Sequence, residues 1–420
     1  MRKKIVLIKK KNPSKEIFGI IIIGIIAVVS ELSIPKQAIM QKIVWCLLAI
    51  VGIVLWITKR LKKETFNYSK VIIWNLVPFI IGTVYTVFYC SLVEKNLPVV
   101  KQSITTTFFL IVDVFMVLAL AKIFKEKSIQ IVEYGIVLSY LITMVMAINQ
   151  YGFSQVIIDK INGVEAYFEK HDVGVSVVPL VIYYLYIGLL SKNKNGCHII
   201  RNLVILLSIM LLCGKRCAYL ALFLSMVILL IERIIRNGNI FGKVLLSVCI
   251  LYCYFIVYIV KNGFLGKIFD IMNINSMGRV FVWNWFRNDY SLSPFYLGKG
   301  FQYIHIYMKN GCASHPIVNA FGYLHNSILQ LYIELGFWGF FIWVFINLVI
   351  IPYFIRKKCG RETYLYYAIL CFSNLIMITL DNLITYPLYQ ISYWISIFGI
   401  YQNEKQVKKN ILEASSSFIC

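Results

Sequence analysis

Apolar runs about as long as a bilayer is thick recur along nearly all of this 420-residue chain, with short polar connectors between them. A hydrocarbon core of about 30 Å is crossed by roughly 20 apolar residues in a helix. In that medium every backbone N–H and C=O must be paired inside the protein, so only helices and closed barrels span it. The runs here are continuous rather than alternating at period two, which selects helices. Twelve are read, near residues 17–34, 38–57, 71–93, 104–121, 129–149, 173–190, 202–213, 217–231, 244–260, 327–355, 364–380 and 387–401. Composition agrees: 60% of residues are hydrophobic and 15% charged, against about 45–50% and 25% in soluble domains. The expectation is an all-α integral membrane protein, one transmembrane domain over residues 1–420 with about twelve helices.

The net charge of +23 could suggest nucleic acid, but the positions of the basic residues argue otherwise. With the N-terminus in the cytoplasm, the larger share of Lys and Arg falls in the tails and in alternate connectors, which is the positive-inside pattern. The charge then orients the chain in the cytoplasmic membrane with both ends inside. Nucleic acid is excluded as a partner, because no basic patch is interleaved with base-stacking aromatics in a soluble domain. Membrane lipid is the expected surrounding. The basic N-terminus "MRKKIVLIKKKNPSKEIFG" has the charge of a signal peptide without a small-residue cleavage site, and reads as a retained first helix. Eleven cysteines are scattered mostly inside the runs, as small apolar residues are. Cys312 is the exception in a long outward loop, and Cys213 and Cys217 flank a short outer turn. A metal or disulfide there is the sharp reading and unpaired packing cysteines the bland one. No second ligand pair lies at zinc spacing, so no metal and no cofactor are expected.

Two outward connectors are longer than the rest: residues 150–172, and an extracytoplasmic loop over residues 261–326. Long loops in compact proteins are functional or disordered. The second holds "VFVWNWF" and "FQYIHIY", too aromatic for disorder and suited to packing on a membrane surface or cavity. No internal repeat relates the halves, and no broken helices stand in corresponding positions, the usual pointer to a secondary transporter.

Three basic residues in this outer region ask for an explanation. In "CGKRCAYL" the two flanking runs are short for a bilayer, which recesses Lys215 and Arg216 below the surface. An arginine at membrane depth costs about 2.5–3.5 kcal/mol and ordinarily meets a water-filled cavity or an anion, although a snorkelling anchor is the bland alternative. In "NINSMGRVFVWNWFRNDY", Ser276 is a candidate N-cap and Arg279 falls in the first helical turn. A cation there is unfavourable unless an anion docks with it, and guanidinium matches phosphate; a solvated surface arginine is the alternative. In "GYLHNSILQLYIELGFWG", His325 stands where the chain re-enters the membrane, with Glu334 further along. Imidazole is a natural general base or acid near neutrality, though lone histidines are more often structural. His305, His315 and His171 are its rivals. Together these residues suit a lipid-linked phosphate or pyrophosphate substrate approached from the bilayer.

The order "GKR" between two spans, "MGRVFVWNW", "SPFYLGKG" and "LHNSILQLYIELGFWG" resembles the Wzy-type O-antigen polymerase and O-antigen ligase superfamily. The resemblance covers residues 202–355, while the first half matches only as a run of spans. Lys215 stands where a small residue is common and Cys217 where a hydroxyl is common. The resemblance implies a metal-independent glycosyltransferase acting outside the cytoplasmic membrane on undecaprenyl-pyrophosphate-linked oligosaccharides. Carried over by position, Arg216 and Arg279 neutralise the departing pyrophosphate and His325 orients or deprotonates the acceptor hydroxyl. Lys215, Asn326, Arg287 and Lys299 are the further substrate-contacting candidates, and Glu334 is expected to be structural. Polymerisation of capsule or O-antigen repeat units is the favoured activity, alongside a chain-length regulator and a flippase as partners. Ligation is the alternative within the superfamily, and a polysaccharide flippase the alternative outside it.

Overall fold

The computed structural model describes residues 13–31, 35–58, 63–155, 158, 171–190, 196–271, 273, 276, 278–310 and 315–417. Cys312, residues 156–157 and 159–170 of the connector 150–172, and the N-terminal basic segment lie outside the described residues, as does the side chain of His171. Among the described residues there are helices and no strand. In chain order they are α1 (Pro13–Glu31), α2 (Pro35–Ile57), α3 (Lys63–Ile72), α4 (Val77–Leu92), α5 (Leu97–Phe124), α6 (Ser128–Tyr151), α7 (His171–Leu189), α8 (Gly196–Cys213), α9 (Arg216–Ile235) and α10 (Gly238–Lys261). Four short helices follow, α11 (Phe264–Ile271), α12 (Arg279–Trp285), α13 (Tyr303–Lys309) and α14 (Pro316–Phe321). The chain closes with α15 (Ser327–Phe345), α16 (Ile351–Lys358), α17 (Arg361–Leu380) and α18 (Pro387–Ser417).

Seven stretches of the described residues are long and apolar enough to cross a bilayer, so the fold is an all-α polytopic membrane protein. Seven is fewer than the twelve runs read from the sequence. One stretch, Leu97–Tyr151, holds two of those runs, because α5 and α6 are joined through Lys125, whose φ of +52° reverses the chain. The apolar stretches Lys42–Ile57 and His198–Cys213 are parts of the longer helices α2 and α8. The helices also differ in their surroundings. Arg361–Leu380 buries 83% of its apolar window and Arg216–Ile235 only 39%, so α17 lies inside the bundle while α9 shows a side to its surroundings. Close approach between helices follows small residues, as lipid-embedded packing favours. A side chain at Gly52 of α2 would come within 2.0 Å of the Phe115 carbonyl on α5, so only glycine fits there.

One end of the bundle is built around a break in α15. Gly336 sits at φ +70°, ψ −175°, inside an otherwise helical run. The break frees the carbonyls of Ile333 and Glu334, and these accept from the N–H groups of Lys299 (3.0 Å) and Gly300 (2.9 Å), while Phe337 donates to Tyr296 (2.8 Å). The "YLGKG" loop is thereby sewn into the broken helix. Gly298 permits it, since a Cβ there would meet Gly336 N at 2.4 Å. Fully buried Glu334 completes the joint. Its carboxylate accepts from the N–H groups of Gln302 (2.9 Å) and Ile304 (3.1 Å), at the start of α13, and from the Gln330 side chain (3.1 Å). These are orphan donors of a helix N-terminus, which a carboxylate satisfies well. Glu334 is a structural clamp, and the aromatic loop packs on the helix end rather than hanging free.

Candidate functional site

The same end of the bundle gathers the start of α9, the start of α15 and the connector 381–386 between α17 and α18. Asp381 is at their centre, 2% exposed. Lys215 Nζ lies 3.2 Å from its Oδ2, and His325 Nδ1 lies 3.5 Å from its Oδ1, within ion-pair distance though Nδ1 makes no hydrogen bond among the described residues. The Tyr386 hydroxyl (3.2 Å) and the Asn382 N–H (2.8 Å) donate to Oδ1. Burial by itself would raise the Asp381 carboxyl. The neighbouring His325 imidazole, the Lys215 charge and the Asn382 N–H outweigh it and hold the group well below the usual carboxylate range.

The local sequence explains how His325 reaches this position. Asn326 is the N-cap of α15, accepting from the Leu329 N–H at 2.9 Å, as asparagine does at a helix start. His325 precedes it at φ +50°, a left-handed conformation that non-glycine residues adopt rarely and that clusters at functional sites. The loop is pinned from three sides. The Trp283 indole donates to the Leu324 carbonyl (2.8 Å), the Ser327 hydroxyl donates to the Asp381 carbonyl (3.0 Å), and the Phe321 ring meets the imidazole edge-on. The His325 side chain stays 27% exposed, so it joins a buried aspartate to open space.

The cations sort into two groups. Lys215 is buried and committed to Asp381. Arg216, the first residue of α9, is exposed and makes no hydrogen bond or ion pair with a described residue. No side chain caps the N-terminus of α9, which leaves a donor-rich helix end beside that guanidinium. Arg279 is half-buried at the first position of α12, and its charge reaches the Cys217 thiol together with those of Asp381 and Lys215. The expected cap Ser276 is not the cap. Gly278, at φ +80°, takes that place with no side-chain bond, and Ser276 instead accepts the Arg279 N–H through its carbonyl. Arg287 and Lys299 have other partners. Arg287 donates through Nε to the Lys261 carbonyl and lies against Gly263, while Lys261 Nζ donates back to the carbonyls of Arg287 and Tyr290. Lys299 is held by the broken helix, and its charge acts on Asp289.

Of the rival histidines, His305 stacks on Tyr323 (centroids 4.4 Å apart) with Nδ1 3.1 Å from the Gly322 carbonyl. Burial pulls its pKa below the ordinary value, and the Gly322 bond opposes that only in part. His315 packs between Phe281 and Trp285. Cys213 and Cys217 are both buried and are not joined in a disulfide. Asp381, Asn382 and Tyr386 escaped the sequence reading. An aspartate directly after an apolar run, in "TLDNLITYP", was the available signal.

Comparison with curated proteins finds no match. Lys215, Arg216, Arg279, His325 and Glu334 all fall within a segment that a family model recognises, whereas Asp381 lies beyond it. Residues 202–344 match the family described as O-antigen ligase, so this segment is similar to the O-antigen polymerase/ligase superfamily.

Proposed function

We propose that this protein is the polymerase of a surface polysaccharide, joining oligosaccharide repeat units carried on undecaprenyl pyrophosphate at the outer face of the cytoplasmic membrane. The observation that carries the reading is the Asp381-centred cluster, which sets a partly exposed imidazole near Arg216 and Arg279 in a chain similar to this superfamily. Nδ1 faces Asp381 at 3.5 Å, and a small approach that lets Nδ1–H donate to the carboxylate leaves Nε2 as a free acceptor, the arrangement by which a carboxylate orients a histidine base. Nε2 takes the proton of the acceptor hydroxyl as its oxygen bonds to the anomeric carbon of the donor sugar. The bond from that carbon to the pyrophosphate breaks, and the leaving group takes the electron pair. Arg216, Arg279 and the uncapped start of α9 offset the charge that develops on it. Lys215 does not touch substrate in this scheme; it holds Asp381 ionised and in place.

The description of the matched family favours a second reading, ligation of a finished chain to a different acceptor. The two separate in a deletion strain. Loss of a polymerase leaves single repeat units on the lipid carrier, and loss of a ligase leaves full-length chains on it. Long carrier-bound chains in that strain would reject the polymerase.

A further inference from the structure

A second feature of this end of the bundle is a cavity of about 460 Å³ between α2, α5, α13 and the start of α18. One face of α5 lines it at helical spacing, through Gln102, Thr106, Phe109 and Asp113. At 1.5 Å per residue the eleven steps from Gln102 to Asp113 descend about 16 Å along that wall. The two groups at its depth are unusual. Asp113 is 5% exposed and Trp45 6%, and both line the cavity. Asp113 Oδ1 and Trp45 Nε1 are buried with no hydrogen-bond partner among the described residues. Buried polar groups are nearly always paired, so an acceptor and a donor left open in one cavity call for a ligand that supplies both complements.

The cavity adjoins the Asp381 cluster. It shares Gln302, Tyr323 and Thr385 with a small void lined by Ser327 and Asn382, and the Asn382 amide is buried with both its atoms unpaired among the described residues. Tyr386, which donates to Asp381, lies within electrostatic reach of Tyr323 and of Asp172, a residue of the cavity wall. Asp381 is therefore linked both to the cations of α9 and α12 and, through Asn382 and Tyr386, to the neighbourhood of this cavity.

The lining decides the class of ligand. Lys42 and Lys309 share the wall with Asp113 and Asp172, so the lining carries both signs and does not single out a phosphate, and a hydrocarbon tail would leave Asp113 and Trp45 unpaired. A sugar hydroxyl donates to a carboxylate and accepts from an indole or amide N–H, and the apolar face of a pyranose packs on rings such as Phe109 and Tyr323. The volume is in the range of about 300–1,000 Å³ that holds ligands of small-oligosaccharide size. We infer that this cavity is the binding site for the acceptor glycan, the reactant whose hydroxyl must reach His325. The inference takes the identity of the ligand from the function proposed above, but its location rests on the unpaired groups.

The test uses full-length protein in lipid nanodiscs and, as probe, phosphate-free fragments of one to three repeat units released from the host's own polysaccharide and fluorescently labelled. Saturable binding to the wild type that inorganic pyrophosphate does not displace is expected. Asp113→Leu and Trp45→Phe should each weaken it about ten- to a hundredfold, the range for a lost hydrogen bond to a charged or buried group. The Asp113→Leu protein should melt no lower than the wild type, because an unpaired buried carboxylate has been removed. Wild-type affinity in both variants overturns the inference, and so does an absence of binding to a wild type whose His325→Ala strain has lost its polymer. Normal polymer from the His325→Ala strain, with fragment binding still dependent on Asp113 and Trp45, would reject the catalytic reading and leave the glycan site standing.

Discussion

At φ +50° the backbone of His325 holds the imidazole against Asp381 while leaving its far nitrogen free, and this separates a chemical role from a structural one. Losing a general base costs about 10²–10⁴ in rate, so His325→Ala should leave single lipid-linked units and almost no polymer at undiminished protein level. His325→Gln keeps a hydrogen-bonding group that takes no proton at neutral pH. Little activity in it marks proton transfer, and substantial activity marks orientation. Wild-type chain lengths in His325→Ala would remove the residue from the mechanism. Arg216 has no partner to lose among the described residues, so Arg216→Ala should abolish polymer without affecting abundance. Arg216→Lys should rescue in part, since a point charge lacks the bidentate fork; full polymer from Arg216→Ala would show that the exposed guanidinium is not the anion site. Asp381 differs again, because it neutralises a buried lysine. Asp381→Asn strands Lys215, and breaking a buried pair costs about 3–5 kcal/mol, while the double change with Lys215→Met should recover most of the loss. The pH dependence has a definite sign. The folded carboxyl is depressed, so its stabilisation is complete above the ordinary value of about 3.9 and fades only as the pH falls below that. Melting curves of wild type and Asp381→Asn should therefore stay a constant distance apart from pH 7 to about pH 5 and converge only in stronger acid.

For the elements, the glycine pattern of the sequence becomes a joint. "GKG" and "ELGFWG" are far apart in the chain, yet the first supplies the N–H groups that the second, broken at Gly336, leaves wanting. Gly336→Ala meets two penalties, a positive φ and a Cβ placed 2.2 Å from the Leu297 carbonyl carbon. Strained backbone alone is worth about 1–3 kcal/mol. The variant should melt lower and accumulate less, whereas Gly322→Ala, with nothing within 4 Å of its Cβ, should show only the backbone cost. Equal stability of the two variants would mean that the joint does not hold the loop. Glu334 belongs to this joint, which explains a carboxylate inside an apolar helix without giving it chemistry.

Across the whole molecule, the site end and the opposite end differ in charge. Lys125, Lys127, Arg233, Arg236, Arg356, Lys357 and Lys358 lie in or beside the connectors at the end away from Asp381. The positive-inside rule predicts that this end is cytoplasmic, with His325 and the proposed glycan cavity outside. In a cysteine-free background, Phe295→Cys, at a side chain 90% exposed, should react with an impermeant maleimide on intact cells. Lys357→Cys should react only after permeabilisation. The reverse pattern would invert the topology and with it the proposed location of the reaction.

The sequence alone determined the solvent, and the solvent determined the class of fold: apolar runs of bilayer length leave helices as the only way to pair the backbone. It also marked Arg216, Arg279 and His325, because a charged or titratable group at a membrane boundary stands out against apolar neighbours. Tertiary structure decided what those residues face. Asp381 is one carboxylate after one apolar run among many, and only packing α17 beside the starts of α9 and α15 reveals that it holds both Lys215 and His325. Lys215 and Arg216 are adjacent in sequence, yet one is buried in an ion pair and the other open. Arg287 and Lys299 looked equally available and are engaged by neighbouring loop groups. Asp113 and Trp45 sit inside ordinary spans, and that they face a shared cavity depends on α2 lying against α5. Charge and hydropathy are local properties that can be read along a chain, whereas pairing is set by contacts between segments tens to hundreds of residues apart.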